Sequence, residues 1–226
     1  ENFSNSISVI GDEFDDLVIS DYLLNYNLDI ENEIPPYILK QAEKLFNEMF
    51  DLTDTNIEIV IDKLIILLIK IQDKKGYNFM ETNQFISQCI TLSNLTPSNI
   101  LDWLIENQTE SQYIFFLGFL YYNGIIVENN ANEAFKLFSK ASEDNYSMAQ
   151  VYLSKCYQTG IGTEINNTLA IDYLNNAIKN NSICGQLYLG NLYEDCMAYN
   201  KAFHWYEKAA ELQKEGIIMH NVILII

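Results

Sequence analysis

The chain of 226 residues contains no arginine: its 13 basic residues are all lysines, set against 31 acidic residues, for a formal net charge of −18. Nucleic-acid binding needs cations that neutralise phosphates, so this balance excludes it. An anionic membrane surface is disfavoured on the same ground. Histidine is almost absent too. His204 and His220 do not pair at ligand spacing, which argues against a His-based zinc site, and His204, beside Trp205, reads as a surface or groove residue rather than a base. Three prolines and nine glycines leave long stretches free to be helical. The four cysteines, Cys89, Cys156, Cys184 and Cys196, include no CxxC pair of the zinc or redox kind. Cys156, on an expected helix that also carries Leu153 and Tyr157, reads as a small buried hydrophobe. The apolar run Leu64–Ile69 lies between Lys63 and Lys70 and is too short to span a bilayer. Asp12, Glu13, Asp15 and Asp16 interrupt any signal-peptide core. Few cysteines and no signal peptide suit a reducing compartment, so a cytoplasmic protein is expected. Six N-x-S/T sequons are then unglycosylated products of an asparagine-rich composition. No initiating Met heads the chain, which reads as beginning mid-gene or after processing.

Apolar residues are plentiful, at 49%, with 13% aromatic, enough to bury a core. The acidity is uneven. Residues 1–110 hold 20 acidic residues and 6 lysines, whereas residues 111–226 hold 11 and 7. A solvated acidic surface is the simpler reading, and steering of a basic partner to the N-terminal half is the sharper one.

Residues 1–33 lack clear helical periodicity and read as an acidic, largely flexible lead-in. Residues 34–110 read as a helical bundle. Pro35-Pro36 suits a first helical turn, followed by Ile38, Ala42, Leu45, Phe46 and Met49 at helical spacing. A second helix is expected from about Thr55 to Lys74, apolar over much of its circumference and hence buried at the centre of this part. A third is expected over Thr82–Ser93. A fourth starts at Thr96-Pro97, with threonine as cap and proline at the first position.

The second half echoes itself. Leu117-Gly118-Phe119-Leu120-Tyr121-Tyr122-Asn123-Gly124 recurs 36 residues on as Leu153-Ser154-Lys155-Cys156-Tyr157-Gln158-Thr159-Gly160. Ala134, Phe138 and Ala141 recur as Ala170, Leu174 and Ala177. A third copy runs from Gln186-Leu187-Tyr188-Leu189-Gly190 to Lys208-Ala209-Ala210. A fixed period in this range means one supersecondary unit, stacked so that neighbours bury each other's apolar faces. Each copy holds two helices: 112–123 and 131–143, 148–158 and 168–180, 183–195 and 199–213. Gly118, Ser154 and Gly190 permit close helix approach, so helix crossings are expected there.

These residues resemble the Sel-one-like repeat, a relative of the tetratricopeptide repeat, whose pattern reads roughly A-x-x-x-L-G-x-x-Y-x-x-G-x-G, an acidic spacer, then K-A-x-x-W-Y-x-K-A-A. Lys201-Ala202-Phe203-His204-Trp205-Tyr206-Glu207-Lys208-Ala209-Ala210 is a near-complete match. Ala149-Gln150-Val151-Tyr152-Leu153-Ser154 with Gly160-Ile161-Gly162 supplies the first half in copy two. The resemblance covers residues 111–213, as units 111–146, 147–181 and 182–213. It departs at Ile126, where the second loop glycine is usual, and in copy three, which is four residues short and must turn tightly around Cys196-Met197-Ala198. It implies an all-α fold: an N-terminal helical bundle followed by a short α/α solenoid of three Sel-one-like repeats. The segment around Asp102-Trp103-Leu104-Ile105-Glu106-Asn107-Gln108 looks like the pre-repeat region of expanded fungal repeat families often fused to protein kinases. That implies an alternative reading, a regulatory or truncated arm of a larger kinase-repeat signalling protein.

No kinase glycine-rich loop, HRD or DFG is present. Gly160-Ile161-Gly162 is a bare GxG between helices, a loop rather than a nucleotide site. No catalytic residue, cofactor or metal is therefore expected. The resemblance implies a non-enzymatic adaptor that binds protein partners, a kinase among the candidates. First helices of such repeats line the concave face, so Phe119, Tyr122, Lys155, Gln158, Asn191 and Glu194 are the candidate partner contacts, forming one strip. The segment 214–226 reads as an apolar C-terminal tail, with a helix end at Gln213-Lys214-Glu215-Gly216. Its uncharged run Ile217–Ile226 has two readings: an apolar cap folded back on Phe203, Tyr206 and Ala210, or, the favoured one, the β-prone end of a truncated array, open to self-association.

Overall fold

A computed structural model describes residue 44 and residues 56–75, 79–93 and 95–223. The acidic lead-in, all of the helix expected after Pro35-Pro36 except Lys44, and residues 224–226 lie outside the described residues. Among those described are nine helices and no strand: α1 (Ile57–Lys75), α2 (Phe79–Leu92), α3 (Pro97–Glu106), α4 (Ser111–Asn123), α5 (Ala131–Ser142), α6 (Ser147–Thr159), α7 (Asn167–Lys179), α8 (Ile183–Asp195) and α9 (Tyr199–Ile223). They fall into two compact units, one of residues 56–74 and 79–144, the other of residues 145–223.

In the first unit, α1 buries Val60, Ile61, Leu64, Ile65, Leu67 and Leu68, each at most 2% exposed, while Ile66 on its far side is 45% exposed. α2 contributes Phe85, Ile86, Cys89 and Ile90, and α3 contributes Ile100 and Leu104. The Thr96 side chain caps α3 by accepting from the Asn99 backbone N–H at 3.2 Å. α4 and α5 pack as a pair. In the second unit α6 pairs with α7 and α8 with α9, and α8 also packs on both α6 and α7.

The crossing of each pair explains the small residue in its first helix. A Cβ added to Gly118 would meet Phe138 Cε1 at 2.8 Å, and one added to Gly190 would meet Tyr206 Cε1 at 2.4 Å. Phe138 and Tyr206 occupy corresponding places on α5 and α9. The middle copy has Ser154 and Leu174, both buried. The glycines thus face aromatic rings, and the residue with a Cβ has the smaller leucine as its counterpart. Ala134, Ala170 and Ala202, with Ala141, Ala177 and Ala209, are at most 3% exposed and hold the second helices close.

The loops repeat as well. Asn130 and Asn166 cap α5 and α7, accepting from the backbone N–H of Glu133 and Leu169. Their own N–H groups bond back to Tyr121 O at 3.0 Å and Tyr157 O at 2.8 Å. Gly162 has φ +72°, and Ile126, its counterpart in copy one, holds φ +57°. That is the left-handed region, which disfavours a β-branched residue. Copy three closes tightly around Met197 at φ +58°, with Ala198 N–H donating to Tyr193 O at 2.8 Å. After α5 and α7 the chain turns at Asn145 and Asn181, both near φ +58° (59° and 57°).

The expected helix end at 213–216 is not there. α9 runs unbroken to Ile223, so residues 217–223 are helical rather than extended. The polar stretch at 213–216 contains only one weak helix residue, Gly216, whose cost of about 1 kcal/mol is too small by itself to end a helix.

Gly190→Leu is expected to cost about 1–3 kcal/mol or more, read from chemical denaturation; an unchanged midpoint contradicts the crossing. Gly162→Ile is expected to cost about 1–2 kcal/mol for the left-handed backbone, and Ile126→Gly to change stability in the opposite direction. Equal signs for the two would show that backbone strain does not govern these loops.

Candidate functional site

The six residues expected to form one exposed strip occupy different environments. In the first unit Phe119 is fully buried, its ring stacked on Phe116 at 6.2 Å and 6.4 Å from Phe115. Tyr122 is 4% exposed, with its ring 5.8 Å from Phe138. Neither presents a contact surface, which corrects the expectation. The cause is that α4 is enclosed. Every residue from Tyr113 to Leu120 is buried, and the preceding helices hold the other side. Trp103 on α3 packs edge-on against Tyr113 at 5.0 Å. Asp62 on α1 accepts from Tyr113 Oη at 3.0 Å and Gln112 Nε2 at 3.3 Å. Asn83 on α2 donates through Nδ2 to Asn123 Oδ1 at 3.1 Å.

In the second unit, Gln158 is 4% exposed. Its Oε1 accepts from Tyr188 Oη on α8 at 2.5 Å, so it ties two neighbouring repeats rather than facing outward. Its Nε2, like Ser154 Oγ and Gln186 Oε1, is buried without a hydrogen-bond partner among the described residues. Burial, with the nearby Cys156, Cys184 and Asp195, pushes the Tyr188 hydroxyl pKa well up. Lys155, half-buried on α6, has its ammonium pKa pulled down to about 7 by burial, with Cys156 opposing.

Asn191 and Glu194 are brought together by a residue the sequence reading left out. Tyr206 Oη lies 2.8 Å from Asn191 Oδ1 and 2.5 Å from Glu194 Oε2. Burial, then the bond to Glu194 and the charges of Glu194 and Asp195, push the Tyr206 pKa up. Asp195 is raised by burial and by Glu194. The signal for Tyr206 was present: it stands four residues after Ala202, as Phe138 and Leu174 stand four after Ala134 and Ala170. The buried glutamines were also legible, since Gln150 and Gln186 share the 36-residue echo and are 3% and 6% exposed. Gln150 Oε1 accepts from Asn180 Nδ2 at 3.4 Å. Among the described residues no helix is long and apolar enough to cross a membrane, and no group of three or more His, Cys, Asp or Glu could hold a metal ion.

The Lys155 environment has a pH signature. Its native pKa of about 7 lies below the unfolded value of ~10.4. Between those values the unfolded chain binds more protons, so stability rises with pH across that window. Lys155→Met is expected to be more stable than the parent at pH 7 and to flatten this rise. Parallel pH profiles for the two proteins would show the ammonium to be well solvated.

The Sel1 repeat family model matches residues 111–146, 147–182 and 185–214, within a few residues of the units read from the 36-residue echo. Curated proteins offer no match. Among solved structures, the chain is similar to a Sel1 repeat protein from Oxalobacter formigenes at 15% identity and a TM-score of 0.45, over 76% of this chain and 62% of that one. It is also similar to c5321, a protective antigen of uropathogenic Escherichia coli strains displaying an SLR fold, at 17% identity and a TM-score of 0.42, over 78% of this chain and 46% of that one. It therefore spans less than two thirds of either structure. Three helix pairs, each with a matched repeat and the first and last built on a glycine-to-ring crossing, identify residues 111–214 as three Sel1 repeats.

Proposed function

We propose that this chain is a non-enzymatic scaffold that binds protein partners through the first helices of its second and third repeats. The observation that supports this most is the fixed polar edge of α8. Tyr206 Oη stands between the acceptor oxygens of Asn191 and Glu194 and shares its single proton between them, and its ring fills the Gly190 crossing. A side chain already anchored loses little rotamer freedom when a partner docks, so such an edge binds at low entropic cost. Lys155 on α6 supplies a cation whose charge changes near neutral pH, and Glu194 is an exposed anion. The contact set is thus Lys155, Asn191 and Glu194, with Gln158 supporting it from beneath through Tyr188. A helix or extended segment laid along a preformed groove is the mode such a surface fits. A protein kinase, as a partner or on a longer form of the chain, is the class implied by the resemblance of the pre-repeat segment.

Affinity capture with the full chain, compared with an Asn191→Ala, Glu194→Ala double variant, tests the reading. The variant is expected to lose its specific partners while its melting curve shifts little, because exposed or half-exposed hydrogen bonds contribute only about 0.5–1.5 kcal/mol each. An identical set of captured proteins would place the binding surface elsewhere.

A further inference from the structure

The tyrosine hydroxyls that join α4 to α1, α8 to α6 and α9 to α8 differ in how many donors meet how many acceptors. Between α1 and α4, Asp62 Oδ1 accepts from two donors, Tyr113 Oη at 3.0 Å and Gln112 Nε2 at 3.3 Å. Between α6 and α8, one donor meets one acceptor, Tyr188 Oη and Gln158 Oε1 at 2.5 Å. Between α8 and α9, Tyr206 Oη has one proton for two acceptors, Asn191 Oδ1 at 2.8 Å and Glu194 Oε2 at 2.5 Å. Burial, then the bond to Glu194 and the nearby carboxylate charges, raise the Tyr206 pKa, so the phenol keeps that proton at neutral pH. Three oxygens thus share a single hydrogen, and the trio is one donor short.

The described residues do not supply the missing donor. Lys201 and Lys208, the lysines on either side of Tyr206 in α9, stand over the Tyr193 and Trp205 rings at 5.8 and 4.5 Å. No lysine lies between Lys179 and Lys201, so α8 has no cation of its own. One repeat earlier the corresponding residues are Lys155 and Gln158, both of which carry N–H donors. Asn191 is half-buried and Glu194 exposed, so the trio can be reached from outside. The complement to three oxygens with a carboxylate among them is a group that only donates and brings positive charge, which is an arginine or lysine side chain. The arginine fork can reach a carboxylate and a neighbouring oxygen together, and this chain contains no arginine.

On the footing of the scaffold role, we infer that the α8 edge recognises a basic segment of its protein partner, one arginine or lysine side chain of which seats among Asn191 Oδ1, Tyr206 Oη and Glu194 Oε2. The N–H groups of that side chain complete the trio, and Glu194 neutralises its charge through a charge-assisted hydrogen bond. The net charge of −18 speeds the approach of such a segment.

Fluorescence anisotropy of a labelled peptide of alternating arginine and serine, titrated with the full chain, tests the inference. Glu194→Gln and Glu211→Gln change the net charge equally, but Glu211 is exposed on α9 and bonds to none of the three oxygens. Glu194→Gln also gives the trio an N–H of its own. It is expected to weaken the peptide by about tenfold or more, against about twofold or less for Glu211→Gln, with both melting curves unchanged. Rotation of the Asn191 amide in the free chain would turn Nδ2 onto Tyr206 Oη and complete the trio without a partner; the two variants would then weaken the peptide alike. Equal weakening, or a parent that does not bind the peptide, overturns the inference. The scaffold role fails separately, if the Asn191→Ala, Glu194→Ala variant still captures the same proteins. Loss of those proteins together with equal weakening of the peptide leaves that role in place and rejects only the basic partner.

Discussion

The close approach of the two helices in each repeat is the constraint on which the rest of the structure depends. At Gly118 and Gly190 the missing Cβ is the space taken by the Phe138 and Tyr206 rings. Dense packing at such a crossing allows no extra methylene without displacement. The third crossing also sets the surface. Tyr206 is positioned by the Gly190 notch, and its hydroxyl then fixes Asn191 and Glu194. The polar edge of α8 is thus a consequence of core packing, and disturbing the crossing disturbs the edge with it.

Chain reversal is the second constraint. Left-handed residues sit at corresponding points in the loops, yet glycine fills only some of them. Ile126, Met197, Asn145 and Asn181 adopt positive φ because backbone hydrogen bonds around them over-determine the turn, as with Ile125 N–H to Leu120 O at 3.0 Å and Met197 N–H to Glu194 O at 2.8 Å. Asparagine accepts this region more readily than most residues. Where no such turn occurs, at Gln213, the array does not fold back, and α9 instead extends as a single long helix.

Of the six residues expected on one strip, Asn191 is half-buried and Glu194 exposed on the same edge of α8, as repeat periodicity places equivalent residues on equivalent faces. Phe119, Tyr122 and Gln158 came from the same logic and are buried. For Phe119 and Tyr122 the reason is the company of α4. A repeat's exposed edge stays open only if nothing else packs there, and α1, α2 and α3 hold that helix through Asp62, Asn83 and Trp103. Gln158 is polar by type but buried by position, and its bond to Tyr188 is a pairing over 30 residues that periodicity cannot reveal.

The sequence by itself determined the all-α class, the three helix pairs, their boundaries to within a few residues except at the end of the last helix, the small-residue crossings and the cap at Thr96. All of these rest on local chemistry or on an internal echo, and both are written along the chain. Only the tertiary structure decided which edges stayed open, which tyrosine joined Asn191 to Glu194, how Ile126 took a glycine's place, and that the last helix continues through 213–216. Those outcomes depend on which side chains meet across long sequence separations, and on a competition between weak local stop signals and helix continuation that residue type alone does not resolve.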